Sequence, residues 1–583
     1  MSKNKKTNNP NNKLVANAAS NSNAIKNTTT ITANKDTLIV NKPILWLIAA
    51  TLIVYVPVIY FKFTELDDSI FIKEFHEYYQ DISNFFTSFH RGLFDAVKDP
   101  YYRPLFLNSM LLNYQLFHEN IEGYHFINIL FHITSVILLY KLFIKLDQTP
   151  LNSFILTLIF AVHPVLCQAV AWIPGRNDTL LAIFTLSFLI FSINFTKTGK
   201  IHHLLLSILF LLLAFFTKET AIFAAPVALT MLVLMLKNKI YNIKILIQMV
   251  LWAGCLGVWY YARSQATIAT TAIVPGQLAI DFFNRLPVII QYIGKIFLPF
   301  NLSVFPTQED TTYLFGIIAT ILLIVSIIYY KKRNWRILLS GLIVFFFFLT
   351  PALLVPNHLN DQTFEHRLYL PIIGILILLP QTCLLNTPRG DWQLMLYGIT
   401  VCVILGILNY IHQRNFADPQ SFWRQAVQTS PNCAYANMML AERDDNMDES
   451  VTLFKKAYHL NPKEKYINFY YAEMLIKTNN KDSLAAAEKY LLAERNISNY
   501  IKCYFYLAQI AVMKNDFPNA ISYLKTFLKT VPETSDEGKE ANNNLMIIYY
   551  NTHQTNELIL QINHMKQLNI PVPIEILKNI PQK

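Results

Sequence analysis

Short ionisable stretches interrupt an otherwise apolar sequence, and their residue types suit one kind of reaction. Glu65-Leu66-Asp67-Asp68 comes first. Tyr101-Tyr102-Arg103-Pro104-Leu105 and Gly123-Tyr124-His125 follow. Then come His163-Pro164, Trp172-Ile173-Pro174-Gly175-Arg176-Asn177-Asp178, Thr217-Lys218-Glu219, Arg263 and Glu365-His366-Arg367-Leu368-Tyr369-Leu370-Pro371. A carboxylate can act as general base on a hydroxyl acceptor. Arg and Lys can hold the phosphate of a leaving group and stabilise its growing charge. No GxxxxGK[ST] loop occurs, which excludes a P-loop nucleotide site. A lipid-linked phosphosugar suits such an ATP-free site. His125 and His163 lack HExxH spacing, and the six cysteines lack a CxxC pair, so no metal is expected.

Each residue also has a plainer role. Asp67 or Asp68 could cap a helix, and Arg103 could snorkel to an interface. His125 and His132 suit packing. Lys218 could pair with Glu219, and Arg176 with Asp178. Their common side of a membrane is what argues for a shared site.

The elements that must place them are membrane helices. The chain has 583 residues, 53% hydrophobic and 15% charged, against about 25% charged in soluble domains. A span needs about 20 apolar residues. Eleven runs qualify: 43–60, 124–143, 151–170, 178–196, 201–216, 220–236, 243–262, 312–330, 337–355, 368–386 and 394–411. The stretch 286–300, interrupted by Pro287, Gly294, Lys295 and Pro299, reads as a re-entrant or interfacial helix. Lys141/Lys145, Lys197/Lys200, Lys237/Lys239, Lys331–Arg333 and Arg389 set one side as cytoplasmic. The net charge of +11 then needs no nucleic-acid partner. Residues 1–42, Asn- and Lys-rich without periodicity, read as a disordered cytoplasmic tail. The ionisable stretches fall on the external side. Loop 61–122 is external too, and its spacing from Ile70 to Phe94 suits interfacial amphipathic helices, or else a small folded loop domain. Cys167, Cys255, Cys383 and Cys402 lie in apolar runs, as small core residues do.

From about 413 the composition turns soluble and helical. Pro431 and Pro462 are 31 apart, and Pro532 lies 70 further on. Trp423, Ala426 and Pro431 align with Phe454, Ala457 and Pro462. A period near 34 of this kind is the tetratricopeptide pattern, whose stacked helix pairs form a peptide-binding solenoid. The chain is therefore expected to be all-α: a polytopic membrane protein, then an external α-solenoid at 413–583.

The early Asp-Asp, "YRPL…GYH", "HPV…AVAWI.GR.D", "KE" and "HRLYLP", followed by these repeats, resemble the transmembrane and tetratricopeptide-repeat O-mannosyltransferase-like proteins of the GT-C superfamily. The resemblance covers about 43–530. It implies a GT-C membrane domain at 43–412 that uses a polyprenyl-phosphate-linked sugar donor. Acceptors would be Ser or Thr hydroxyls of polypeptides held by the repeats. The acidic pair supplies the catalytic carboxylate, Asp67 or Asp68. Arg103, Arg176, Lys218 and Arg367 become donor-phosphate candidates, with His125, His163, Asp178, Glu219 and Tyr369 at matching positions. Two features depart from the protein O-mannosyltransferases, which carry Asp-Glu here and a β-trefoil domain. The competing expectations are an O-oligosaccharyltransferase moving a preassembled glycan and a non-catalytic scaffold acting through its repeats. The composition suggests a bacterial inner membrane with a periplasmic site, the endoplasmic reticulum being the alternative.

Overall fold

The computed structural model describes residues 1–2, 42–94, 101–267, 275–354, 362–385, 391–444, 446–477 and 481–578. The predicted tail falls almost entirely outside these, as does Arg389. Among the described residues all regular structure is helical, apart from an isolated bridge between Thr307 and Gln362. The chain divides into two compact units, 1–422 and 423–583.

All eleven predicted runs are helical in the first unit, but they differ in reach. Six helices are long and apolar enough to cross a membrane: Pro43–Tyr60, Ile121–Lys145, Ile173–Thr198, Ile243–Ala266, Trp335–Leu353 and Asp391–Phe416. Pro150–Val162 with Pro164–Ala171 passes the same test as a pair bent by 52° where Pro164 follows His163, which is the geometry of a broken span or a re-entrant loop. The other four runs make shorter helices: Ile201–Phe215, Glu219–Met235, Leu314–Tyr329 and Pro371–Gln381. Among the described residues, six or seven of the eleven expected spans thus reach full span length, and four are shorter. Apolar residues continue past the points where these helices stop or change winding. Glu219–Met235, for example, passes from 3₁₀ through α to π around Pro226. These helices make the chain an integral membrane protein.

The interrupted stretch forms Val288–Phe297, 10 residues long. At 1.5 Å per residue that is about 15 Å, half a bilayer core. Its Gly294 lies against Gly316 so closely that a Cβ would stand 2.6 Å from the Gly316 nitrogen. A second glycine seam joins Trp335–Leu353 to Pro371–Leu378. There a Cβ on Gly374 would meet the Gly341 oxygen and the Phe345 nitrogen, each at 2.4 Å. Small residues of this kind let membrane helices approach backbone to backbone.

The first loop packs against the helix that follows it. Phe71, Ile72 and Tyr79 share a core with Phe106, Leu107, Met110 and Tyr114 of the Pro104–Phe117 helix. The same core takes in Tyr124 and Ile173 of the membrane helices. Cys167, Cys255 and Cys402 are buried free thiols.

The second unit is a run of helices from Ala434–Arg443 to Ile574–Lys578, most packed against its sequence neighbour. The aligned pairs Trp423/Phe454 and Ala426/Ala457 are all buried. Alanines at the helix contacts, including Ala472, Ala487, Ala508, Ala520 and Ala541, allow close approach. Asn446, Asp516 and Ser535 cap three of the helices through their side chains.

The glycine seam gives a direct test. Gly374→Ala forces a methyl into backbone and should cost about 1–3 kcal/mol. Gly406→Ala, whose nearest neighbour would be Val54 at 3.5 Å, should cost nothing measurable. Unfolding midpoints of the two variants in detergent would separate them.

Candidate active site

Four loops meet at one end of the membrane helices. Leu105 donates its amide to the Phe216 carbonyl at 3.1 Å, joining the first loop to the turn after Ile201–Phe215. Lys62 donates to Ala417 at 2.8 Å, and Thr363 to Pro306 at 2.8 Å. His366 meets Gln168 through both its amide and Nδ1, at 3.2 and 3.0 Å. Stretches far apart in sequence are thereby brought together.

Asp67 and Asp68 have different surroundings. Asp68 is buried, and its carboxylate is consumed by the loop. Oδ2 accepts from the Thr64 amide at 2.6 Å and its hydroxyl at 3.0 Å, and Oδ1 from the Ser69 amide at 3.1 Å. It caps no helix, because Ser69 holds that position without a side-chain bond. Asp67 is part-exposed, and its carboxylate accepts no hydrogen bond from the described residues. Burial, and then the charge of Asp68, raise its pKa to about 6, against the pull of Arg103. Such a group is a competent base near neutral pH.

The cations beside it are paired across loops, not along the sequence. Arg103 donates Nε to Glu219 Oε2 at 3.1 Å, with a second nitrogen at 3.0 Å, and lies 4.7 Å from the Tyr101 ring centre. Glu219 Oε1 also takes the Tyr102 amide at 3.4 Å. Lys218 Nζ bridges both oxygens of Asp178 at 2.7 and 2.8 Å. The expected neighbour pairs, Lys218 with Glu219 and Arg176 with Asp178, do not form. Adjacent residues in these turns point to different partners. Arg367 donates to the Gln362 carbonyl at 3.0 Å and lies over Phe364. No carboxylate among the described residues pairs with it. The charges of Arg103, Lys218 and Arg367 reach one another and His366. Burial first, and then these three cations, push His366 well below the usual histidine range, so it is neutral.

The remaining candidates hold the scaffold. Arg176 is wholly buried. Its Nε donates to Asn128 at 2.9 Å, one terminal nitrogen to the Tyr124 carbonyl at 2.9 Å, and the other to the Ser109 carbonyl at 3.4 Å. With the Asn113 amide turned to match, its oxygen accepts from both terminal nitrogens at 2.9 and 3.0 Å. The guanidinium has no free donor face for a phosphate. His163 caps its own turn through Val165 and bonds the Ile296 carbonyl at 2.9 Å, tying the bend to the short helix. Tyr369 is buried with its hydroxyl 2.6 Å from His132 Nδ1. His125 is buried beside Phe61. Arg176, a donor-phosphate candidate by sequence, thus has its guanidinium spent inside the helix bundle, as are the polar atoms of His163 and Tyr369.

Sequence reading gave no site role to Lys295, Gln168 or Asn128. Lys295 Nζ meets Glu365 at 2.9 Å with both side chains wholly buried, and Glu365 also takes the Ser303 amide at 2.8 Å. His412 Nε2 stands 3.4 Å from the other carboxylate oxygen. This pinned carboxylate anchors the turn carrying His366 and Arg367. A lone lysine in a strongly amphipathic ten-residue helix was the available signal. Among the described residues no three His, Cys, Asp or Glu side chains gather as a metal would need.

These roles separate by experiment. Arg176→Ala strips charge-assisted hydrogen bonds from buried carbonyls and should lower stability by about 3 kcal/mol. Asp67→Asn removes no hydrogen bond and relieves a charge that burial and Asp68 disfavour, so the unfolding midpoint should stay level or rise. Thermal unfolding of both in one detergent checks this.

Similarity to known proteins bears on the same region. Residues 103–261 match the family model described as dolichyl-phosphate-mannose-protein mannosyltransferase. Protein O-mannosyl-transferase F38B6.6 of Caenorhabditis elegans is 34% identical over 131 residues, 22% of this chain and 18% of that protein. Protein O-mannosyl-transferase TMTC4 of Mus musculus is 32% identical over 181 residues, 28% of this chain and 24% of that protein. Protein O-mannosyl-transferase TMTC3 of Homo sapiens is 40% identical over 87 residues, 15% of this chain and 9% of that protein. The chain thus spans less than a quarter of the length of these relatives. The similarity to protein O-mannosyltransferases thus lies in this membrane segment and the residues it carries.

Proposed function

We propose that the protein is a membrane glycosyltransferase that moves a sugar from a polyprenyl-phosphate donor to Ser or Thr hydroxyls of proteins. The observation that carries this is Asp67, a part-exposed carboxylate without a hydrogen bond from the described residues, within reach of Arg103, whose charge in turn reaches Lys218. Asp67 takes the proton of the acceptor hydroxyl, and the freed oxygen attacks the anomeric carbon. The bond from that carbon to the phosphate oxygen breaks, and the lipid phosphate leaves with the electron pair. Arg367, which no carboxylate neutralises, is the first group to receive that charge, with Lys218 and Arg103 behind it. Attack opposite the leaving group inverts the anomeric centre. Asp68 positions the loop. Asp178 and Glu219 orient Lys218 and Arg103.

The names of the relatives support mannose as the sugar and protein as the acceptor. The Lys-rich turns at the other ends of these helices support an external site. The Asn- and Lys-rich composition favours a bacterial inner membrane, with the endoplasmic reticulum membrane as the alternative. The helical second unit, with its buried Trp/Phe and Ala positions at repeat spacing, is assigned to holding acceptor polypeptide.

Glycoproteomics of cells with and without the gene tests the reading. Ser/Thr glycopeptides should vanish on deletion and return with wild type but not with Asp67→Asn, whose transfer rate should fall about 10³-fold or more. A lost mass of one hexose supports the mannosyl reading, and a larger glycan the oligosaccharyl one. Full rescue by Asp67→Asn would leave only a scaffold. Transfer should also decline as pH falls through about 6, where Asp67 takes up a proton and ceases to act as base. A flat rate from pH 8 to 5 argues against Asp67 as that base.

A further inference from the structure

Where the Leu314–Tyr329 and Trp335–Leu353 helices join, an open surface depression is lined by Lys237, Lys332, Arg333, Asn334, Trp335 and Arg336. Its place follows from helix lengths. Leu314–Tyr329 begins beside the loop joined to Gln362 and runs 16 residues, about 24 Å, before reaching this turn. Lys237 likewise follows Met235, the far end of the helix that begins at Glu219.

Four of the six lining residues are cations, and none is an acid. Among the described residues, Lys237, Lys332 and Arg336 form no ion pair. Arg333 is fixed, not mobile. One terminal nitrogen caps the preceding helix through the carbonyls of Ile327, Ile328 and Tyr330, at 3.1, 3.3 and 3.0 Å. Its guanidinium stacks 4.4 Å from the Trp335 ring centre, and its buried Nε has no hydrogen-bond partner. Asn334 caps the next helix through the Arg336 amide at 3.0 Å, and its own amide bonds Gln381 at 2.7 Å. The wall of the depression is thus a rigid turn at a helix N-terminus, where backbone dipoles also favour an anion. Trp335 is 60% exposed, as aromatic residues at headgroup depth are.

We propose that this depression binds a phosphate group, presented by an anionic lipid headgroup or by phosphate in solution, as a site separate from the transfer centre. Four like charges around one concavity repel each other until an anion enters, and the lysines supply mobile donors around the fixed Arg333.

The full-length chain, reconstituted in nanodiscs of mixed phosphatidylglycerol and phosphatidylcholine, provides the test. Lipids retained after extraction would be counted by native mass spectrometry. Wild type should retain phosphatidylglycerol selectively. Lys332→Ala with Arg336→Ala should lower that retention about tenfold or more, the scale of removing two cations facing an anionic lipid. Lys237→Ala, on a separate loop, should shift it the same way. Lys141→Ala with Lys200→Ala removes exposed cations outside the depression, and should change nothing. If the wild type instead binds inorganic phosphate, lost in the same depression variants, the phosphate chemistry stands and its source is the solution. Equal loss in the Lys141/Lys200 control, or no selective retention of either probe, overturns the proposal.

Discussion

Charge neutralisation at a membrane edge is the constraint around which the site is built. Each buried or half-buried ion there must find a counter-charge or a set of hydrogen bonds, because the surrounding helices offer no water to solvate it. Arg103 is satisfied by Glu219, Lys218 by Asp178, and Lys295 by Glu365. Each of these pairs bridges segments remote in sequence, so neutralising the ions also assembles the loops. What is left over defines the chemistry. Among the described residues, Asp67 has neither an ion pair nor a side-chain hydrogen bond and Arg367 has no ion pair, and both are part-exposed.

Pairing also explains why Asp67 and Asp68 diverge although they are adjacent. The loop from Thr64 to Ser69 needs an acceptor for two amides and a hydroxyl, and only Asp68 points inward to serve. Its neighbour is therefore left outside, next to Arg103. Turning successive residues to opposite sides divides one acidic pair into a structural acid and a chemical one. The same alternation separates Lys218 from Glu219.

Much of the architecture was readable in the sequence because apolar run length and residue period report directly on helices. All eleven runs are helical, Val288–Phe297 is short as its Pro and Gly suggested, and the aligned Trp423/Phe454 and Ala426/Ala457 positions are buried. Helix reach was less legible, since hydropathy continues through 3₁₀ and π turns that end or bend a span. The candidate site was legible in its residue types but not in their partners. Arg176 and Lys218 look equivalent in sequence. Only the fold shows that one is enclosed by carbonyls and the other faces Asp178 among the cations. The pairing of Lys295 was not legible because its counter-charge lies 70 residues away.

Arg176 carries a consequence for biosynthesis. Its acceptors are Ser109, Asn113, Tyr124 and Asn128, all of which precede it in the chain. During vectorial synthesis, the helices that solvate this guanidinium emerge before the helix that carries it. The hydrogen-bond partners of the cation are therefore all translated before it. A circular permutation that placed 176–198 ahead of 104–145 would reverse that order while keeping the same native partners.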